Sequence, residues 1–274
     1  MSLMKQELYL GTIKPIDKND SWRSRHWTDR FTNALFNAMD HPSWEGKVYR
    51  RGFHTAPTSD QPEIMPLHTP ESLNKITDSF RDILLRYNEY NRWIQHGMYF
   101  NPQGLHGPDH IKRVLLLSLT MSRIHKLSLR QEQILVFCSL YHDIGRKHDG
   151  VDPRHGLTSS KNIIDIKNRM ELDHKEDFPV ASMIIRHHSV DDRLAAREQE
   201  KQTTHWNSHQ IQLLKKLFPL FKDADNLDRV RVNDLDYRYL RHEESLQLSG
   251  FATKLYLHSK KYGSNWNSFF ERMG

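Results

Sequence analysis

From about residue 68 onward, apolar residues recur at every third or fourth position in one segment after another, and no segment alternates as a strand would. A chain with this period can bury its hydrophobic stripes only by stacking helices, so the pattern dictates an all-α bundle. Thr69-Pro70-Glu71 reads as a helix start: a capping hydroxyl, a proline in the first turn, and an acid near the positive helix end. Behind it Ile76, Phe80, Ile83, Leu84 and Tyr87 keep the spacing. Further helices are predicted at about 108–126, after Gly104 and Gly107, then at 128–142, from His155 onward, at 178–188 and at 208–228. Three more, at about 237–244, 246–261 and 265–272, close the chain, and the polar stretch 191–205 reads as a loop or a charged helix edge.

Residues 1–67 break this pattern. Aromatic residues come in irregular bursts (Trp22, Trp27, Trp44, Tyr49, Phe53) among Pro15, Pro42, Pro57, Pro62 and Pro66, and only 29–39 has helical spacing. The expected organisation is an irregular N-terminal extension, 1–67, packed on a helical domain, 68–274. Hydrophobic residues make up 37% of the 274, enough for a globular core and too many for a disordered chain. No apolar run reaches the roughly 18 residues a membrane span needs; the run at 114–117 is broken by Ser118 and Thr120. The opening MSLMKQELYLGT lacks the charged-then-apolar plan of a secretory leader, so a cytoplasmic location is expected, a dedicated secretion route aside. The single cysteine, Cys138, precludes an internal disulfide and sits in an apolar run, as an inert buried thiol does.

The formal net charge is +6, with 18 histidines outside that count. A modest, dispersed positive balance favours anionic partners such as nucleotides and phosphorylated metabolites. Arg23, Arg25, His26, Trp27 and Arg30 could serve a nucleic acid, but a solvated face anchored by its tryptophan is the favoured reading. More informative is where certain His and Asp residues fall. His110 lies in the first turns of the second helix, His142 and Asp143 end the third, His155 begins the fourth, His187 and His188 end the fifth, and Asp225 lies in the sixth. Helix ends can converge in a bundle, and imidazoles with carboxylates suit a divalent ion where no thiolate is at hand.

Any one of these residues means little alone. In order, however, "HGPDHIKRV", "LYHDIGR", "IIRHHS" and "KDADNLDRVR" resemble the HD superfamily of metal-dependent phosphohydrolases over about residues 100–245. The resemblance implies the all-α HD-type bundle, with His110, His142, Asp143 and Asp225 as ligands of a divalent metal ion. It also implies a hydrolase or phosphodiesterase acting on a nucleotide or another phosphorylated small molecule. Members with two metals add two histidines between the HD pair and the last Asp, and here His155 and then His187 or His188 stand in that order. One or two ions are therefore open, with Mn, Mg, Fe, Co, Ni and Zn undistinguished.

Around such a centre, cations must neutralise phosphate charge. Arg146 and Lys147, directly after the HD pair, and Arg186, before the histidine pair, are the candidates for substrate contact; Arg113 reads as structural. His155 is the preferred general acid or second-metal ligand, and His148 the other candidate proton donor. His106, four residues before His110, is open between a substrate-facing and a packing role. Asp223 and Asp228, flanking Asp225, read as partners that orient Arg229, Arg231 or a ligand histidine. Three alternatives accompany this reading: a phosphoribosyl or ADP-ribose-type phosphodiesterase acting on a modified protein, a di-iron oxygenase, and a non-catalytic nucleotide-binding module.

Overall fold

A computed structural model describes residues 70–166 and 169–271. The expected N-terminal extension, its aromatic clusters and the Thr69 cap lie outside the described residues. Among the described residues there are ten α-helices, four short 3₁₀ segments and no strand, as the all-α expectation requires. The helices are α1 (Pro70–Asn91), α2 (Pro108–Ile124), α3 (Leu129–Tyr141), α4 (His155–Asp165), α5 (Phe178–His187), α6 (Asp192–Gln202), α7 (Ser208–Leu227), α8 (Glu243–Gln247), α9 (Ser249–Tyr262) and α10 (Trp266–Glu271). None of these is long and apolar enough to cross a membrane.

The bundle is organised around α3. Ser128 caps it through a reciprocal box with Gln131, and every residue from Ile134 to Tyr141 is buried. A helix that is apolar on all sides belongs at the centre of its domain, and α2, α5 and α7 pack around it. Two polar contacts lie between α2 and α3: the Ser139 and Ser118 hydroxyls, 2.8 Å apart, and Ser122 Oγ donating to Glu132 Oε2 at 2.9 Å. At the far side α10 folds back on α1, where Phe80 and Phe270 stack with ring centroids 4.7 Å apart.

Two expectations change. The stretch 191–205 contains a complete helix, α6, started by the Asp191 carboxylate accepting from the backbone of Arg193 and Leu194. Only Ala195 on it is buried, so it lacks the apolar stripe by which periodicity finds a helix. The predicted helix at 237–244 is instead a 3₁₀ segment, Tyr237–Tyr239, a break, and the start of α8. The break arises because Asp223 accepts from the backbone N–H of both Arg241 and His242, at 2.9 Å each for the shorter contacts. Those donors are pointed away from any helical ladder.

Candidate metal centre

Five helices put an end at one place. His110 sits in the first turn of α2, and His142, the cap of α3, is followed by Asp143. His155 opens α4, His188 caps α5, and Asp225 lies in the last turn of α7, whose cap is Asp228. Two glycines permit the approach. A side chain at Gly145 would collide with the backbone of Thr158 and Ser159 and with the His155 carbonyl. One at Gly156 would meet the carbonyls of Ile185 and Arg186. These contacts hold the HD turn against α4 and α4 against the end of α5.

The donor atoms gather in two groups that share Asp143. In the first, His110 Nε2 lies 3.1 Å from His142 Nε2, 3.6 Å from Asp143 Oδ2 and 3.5 Å from Asp225 Oδ1. His142 Nε2 is 3.8 Å from Asp143 Oδ2 and 3.6 Å from Asp225 Oδ1. In the second, His155 Nε2 is 2.9 Å from His188 Nε2 and 3.1 Å from Asp143 Oδ1, with His188 Nε2 at 3.8 Å from that oxygen. Donors at about 2.0–2.2 Å from a common ion stand roughly 3–3.6 Å from one another, and all but three of these separations lie in that range, the others at 2.9 and 3.8 Å.

The tautomers test the fit. His110 Nδ1 donates to Asp228 Oδ2 at 2.7 Å, His142 Nδ1 to Ser139 O at 3.1 Å and His188 Nδ1 to Ile185 O at 2.7 Å; His155 Nδ1 donates to Asp152 O. Carbonyl and carboxylate oxygens only accept, so each neutral ring carries its proton on Nδ1 and its lone pair on Nε2. With the rings neutral, the Nε2 lone pairs face each other in two close pairs, a repulsive arrangement that a cation between them reverses; Arg146 Nη2, 3.4 Å from His155 Nε2, already brings one cation to the second pair. Asp143 Oδ1 points the same way: it is buried without a hydrogen bond, because Arg146 Nε, 3.0 Å away, is at ion-pair distance but not aligned to donate. Three His/Asp groups among the described residues could hold a metal ion: His106–His110–Asp143, His110–His142–Asp225 and His142–Asp143–His188.

Electrostatics divide the ligands. Burial keeps His110 neutral, its pKa lowered to about 3, and lowers His188 to about 4. Burial acts the same way on His142, but Asp143 and Asp225 outweigh it and raise its pKa. Burial alone would raise both carboxyls; His142 and the other imidazoles instead hold Asp143 and Asp225 well below the usual carboxylate range. Behind His110, Asp228 also accepts from Arg113 Nε at 2.6 Å, and Arg113 Nη1 reaches Ser259 Oγ at 3.0 Å. Arg113 is thus structural, as expected, and Asp228 orients His110, a candidate ligand.

The cluster unites His106, His110, His142, Asp143, Arg146, His155, His188 and Asp225. His106 is at its rim, donating from Nδ1 to Asp143 Oδ2 at 2.8 Å. Four other candidates are not brought in. His187 turns away from its neighbour His188: it is buried with Nδ1 against Met183 O, and it belongs to no ligand group. Successive residues at a helix end diverge by about 100°, so only one of the pair can face the cluster. Lys147 and His148 are exposed on the loop between α3 and α4, and Arg186 is half-buried on α5 with no contact to the cluster among those the structure gives. Asp223 orients Arg241, His242 and Ser245 rather than a ligand. The cation that sequence reading underrated is Arg231, whose side chain is only 6% exposed and reaches His106. Its signal was its place three residues after Asp228, which puts the two on one side of a helical turn.

No protein-family model, curated protein or solved structure matches this chain.

Proposed function

We propose that this chain is a metal-dependent phosphohydrolase that cleaves a phosphate ester at the Asp143 centre. The observation that carries the reading is the pair of Nε2 lone-pair contacts on either side of the Asp143 carboxylate. One ion would be held by His110, His142, Asp143 Oδ2 and Asp225, and a second by His155, His188 and Asp143 Oδ1. His155 thereby counts as a ligand and not as the proton donor, since its Nδ1–H is committed to a carbonyl. A divalent ion there would polarise the phosphoryl oxygen and lower the pKa of a bound water.

The balance of the reaction is simple. A water oxygen forms a bond to phosphorus, the ester P–O bond breaks, and its electron pair leaves on the alcohol oxygen, which takes up a proton. The protein's own part is to fix the ligand rings through their Nδ1–H bonds and to keep water from all but one side. The opening lies where Asp225, His106 and Arg146 show side-chain exposures of 23%, 14% and 10%. Arg146, with Nη1 on Gly150 O at 3.2 Å, sits at that opening to meet phosphate charge.

The same six-ligand set also supports a second reading, a di-iron oxygenase, because two nitrogen-rich half-sites bridged by one carboxylate suit iron. Metal analysis with a phosphate-release panel separates them. Nucleotides, sugar phosphates and ADP-ribose derivatives would be offered to the parent and to Asp143→Ala. Phosphate release that Asp143→Ala abolishes supports hydrolysis; two irons per chain with oxygen consumption and no phosphate release moves the reading to the oxygenase. Bound ligand without turnover would leave a binding module. Equal activity in parent and variant would remove Asp143 from the centre.

A further inference from the structure

Arg231 lies at the edge of the metal cluster in the 3₁₀ segment Asp228–Val232. Its Nε donates to Leu105 O at 3.0 Å and its Nη1 to Asp228 O at 3.1 Å. Its Nη2 lies 3.1 Å from His106 Nδ1. That nitrogen is not an acceptor, however. Asp143 Oδ2, 2.8 Å from the same Nδ1, is a carboxylate oxygen and only accepts, so His106 must carry its proton there. Both N–H groups of Nη2 are therefore left without a protein acceptor among the described residues, on a nearly buried cation beside the opening. An unsatisfied buried donor is expensive, more so when charged, and an anionic oxygen is what satisfies it.

The charges around the cluster give the second part of the argument. Asp143, Asp225 and Asp228 are matched one for one by Arg113, Arg146 and Arg231. Arg113 is consumed by Asp228 and Ser259. Arg146 and Arg231 flank Asp143, Arg146 through Asp143 Oδ1 at 3.0 Å and Arg231 through His106. With side-chain charge already balanced, each divalent ion adds positive charge that a bound hydroxide offsets in part and an anionic substrate can offset further. A terminal phosphate monoester brings two negative charges and three free oxygens; a diester brings one charge and two.

The geometry points to Arg231 and Arg146 as a guanidinium pair that holds the dianionic end of a phosphate monoester, so that the site selects a terminal phosphoryl group over a phosphodiester. This rests on the phosphohydrolase reading and names its substrate class.

The test is calorimetric binding of inorganic phosphate and of dimethyl phosphate to the full-length, metal-loaded protein, without turnover. The parent should bind phosphate at least about tenfold tighter than dimethyl phosphate, the scale of one charged hydrogen bond. Arg231→Gln should weaken phosphate by about tenfold or more and bring the two ligands close together, leaving metal stoichiometry and affinity unchanged. A merely structural arginine would instead lower the thermal midpoint and metal affinity while sparing the phosphate preference. Because Arg231 ties Leu105 to Asp228, Arg231→Lys is measured in parallel: it keeps the charge but loses the fork, and should weaken phosphate several-fold. Phosphate binding unchanged in either folded variant overturns the proposal, as does dimethyl phosphate binding as tightly as phosphate to the parent. A protein that releases phosphate from esters but ignores Arg231→Gln sinks the clamp alone. One that binds phosphate through Arg231 yet hydrolyses nothing sinks the hydrolase reading and upholds the clamp.

Discussion

Asp223 and Asp225 stand two residues apart on α7 and live opposite lives. Asp223 is fully buried and saturated by donors: the backbone N–H of Arg241 and His242, the Arg241 guanidinium, the His242 ring and the Ser245 hydroxyl. Asp225 is partly open, and what surrounds it are imidazole nitrogens at 3.5 and 3.6 Å whose protons are committed elsewhere. A carboxylate supplied with every donor it can use is holding the chain together. One left among lone pairs is placed to take a cation. The distinction lies in what surrounds the acid, since both stand on one helix.

The sharpest way to break that comparison is at the shared ligand. Asp143→Asn removes a charge from both half-sites and should lower activity by about a thousandfold, with metal content falling in parallel by elemental analysis. If activity survives, the lone-pair criterion is wrong. Next comes the adjacent histidine pair. His188→Asn should cost the second ion, cutting stoichiometry towards one per chain, while His187→Asn leaves it intact; equal losses would refute the assignment of His188 over His187. Asp223→Asn tests the structural partner: it strands several buried donors, so unfolding should cost roughly 3 kcal/mol less, a fall in Tm of about 6–12 °C. Metal stoichiometry should stay as in the parent. Asp228→Asn should weaken metal affinity by about 10–100-fold through the freed His110 ring, a smaller loss than at Asp143, read by competition with a chelator.

The smallest effect is on pH dependence in metal-free protein. His110 and His188 have folded pKa values of about 3 and 4, below the unfolded value near 6.5. The folded state then binds fewer protons than the unfolded one, so stability from these groups is full above about 6.5 and is lost as pH falls towards 4 and 3. Each of the two should make metal-free protein about 2 kcal/mol less stable at pH 5 than at pH 7 in denaturant titrations, and bound metal, by competing with the protons, should flatten the slope. His142, raised by its two carboxylates, acts in the opposite sense and is lost as pH rises through its folded value.

Much of the fold was legible because periodicity is a local signal. The start of α2 at Pro108, the start of α3 after Ser128 and the long apolar run of α3 sit where the sequence placed them. Helix α6 was not legible, since one buried alanine leaves no stripe to read. The break at Arg241 was not legible either, because its cause, Asp223, lies 18 residues earlier. In the site, residue types at helix ends singled out His110, His142, Asp143, His155, the pair His187 and His188, and Asp225, and the family resemblance supplied their expected roles. Choosing His188 over His187, and seeing Arg231 beside His106 across 125 residues, required the rotation of each helix about its axis, which sequence spacing does not fix between elements.

The arrangement of helix ends has one more consequence. Helices α3, α5 and α7 finish at the cluster, whereas α2 and α4 begin there. Each finishing helix delivers roughly half a negative charge from its aligned peptide dipoles and each beginning one roughly half a positive charge, so the backbone itself leaves a slight negative surplus. That bias belongs to the chain's direction of travel through the bundle. It survives every side-chain substitution that preserves the helices, and it draws a cation to this end of the molecule before any ligand takes hold.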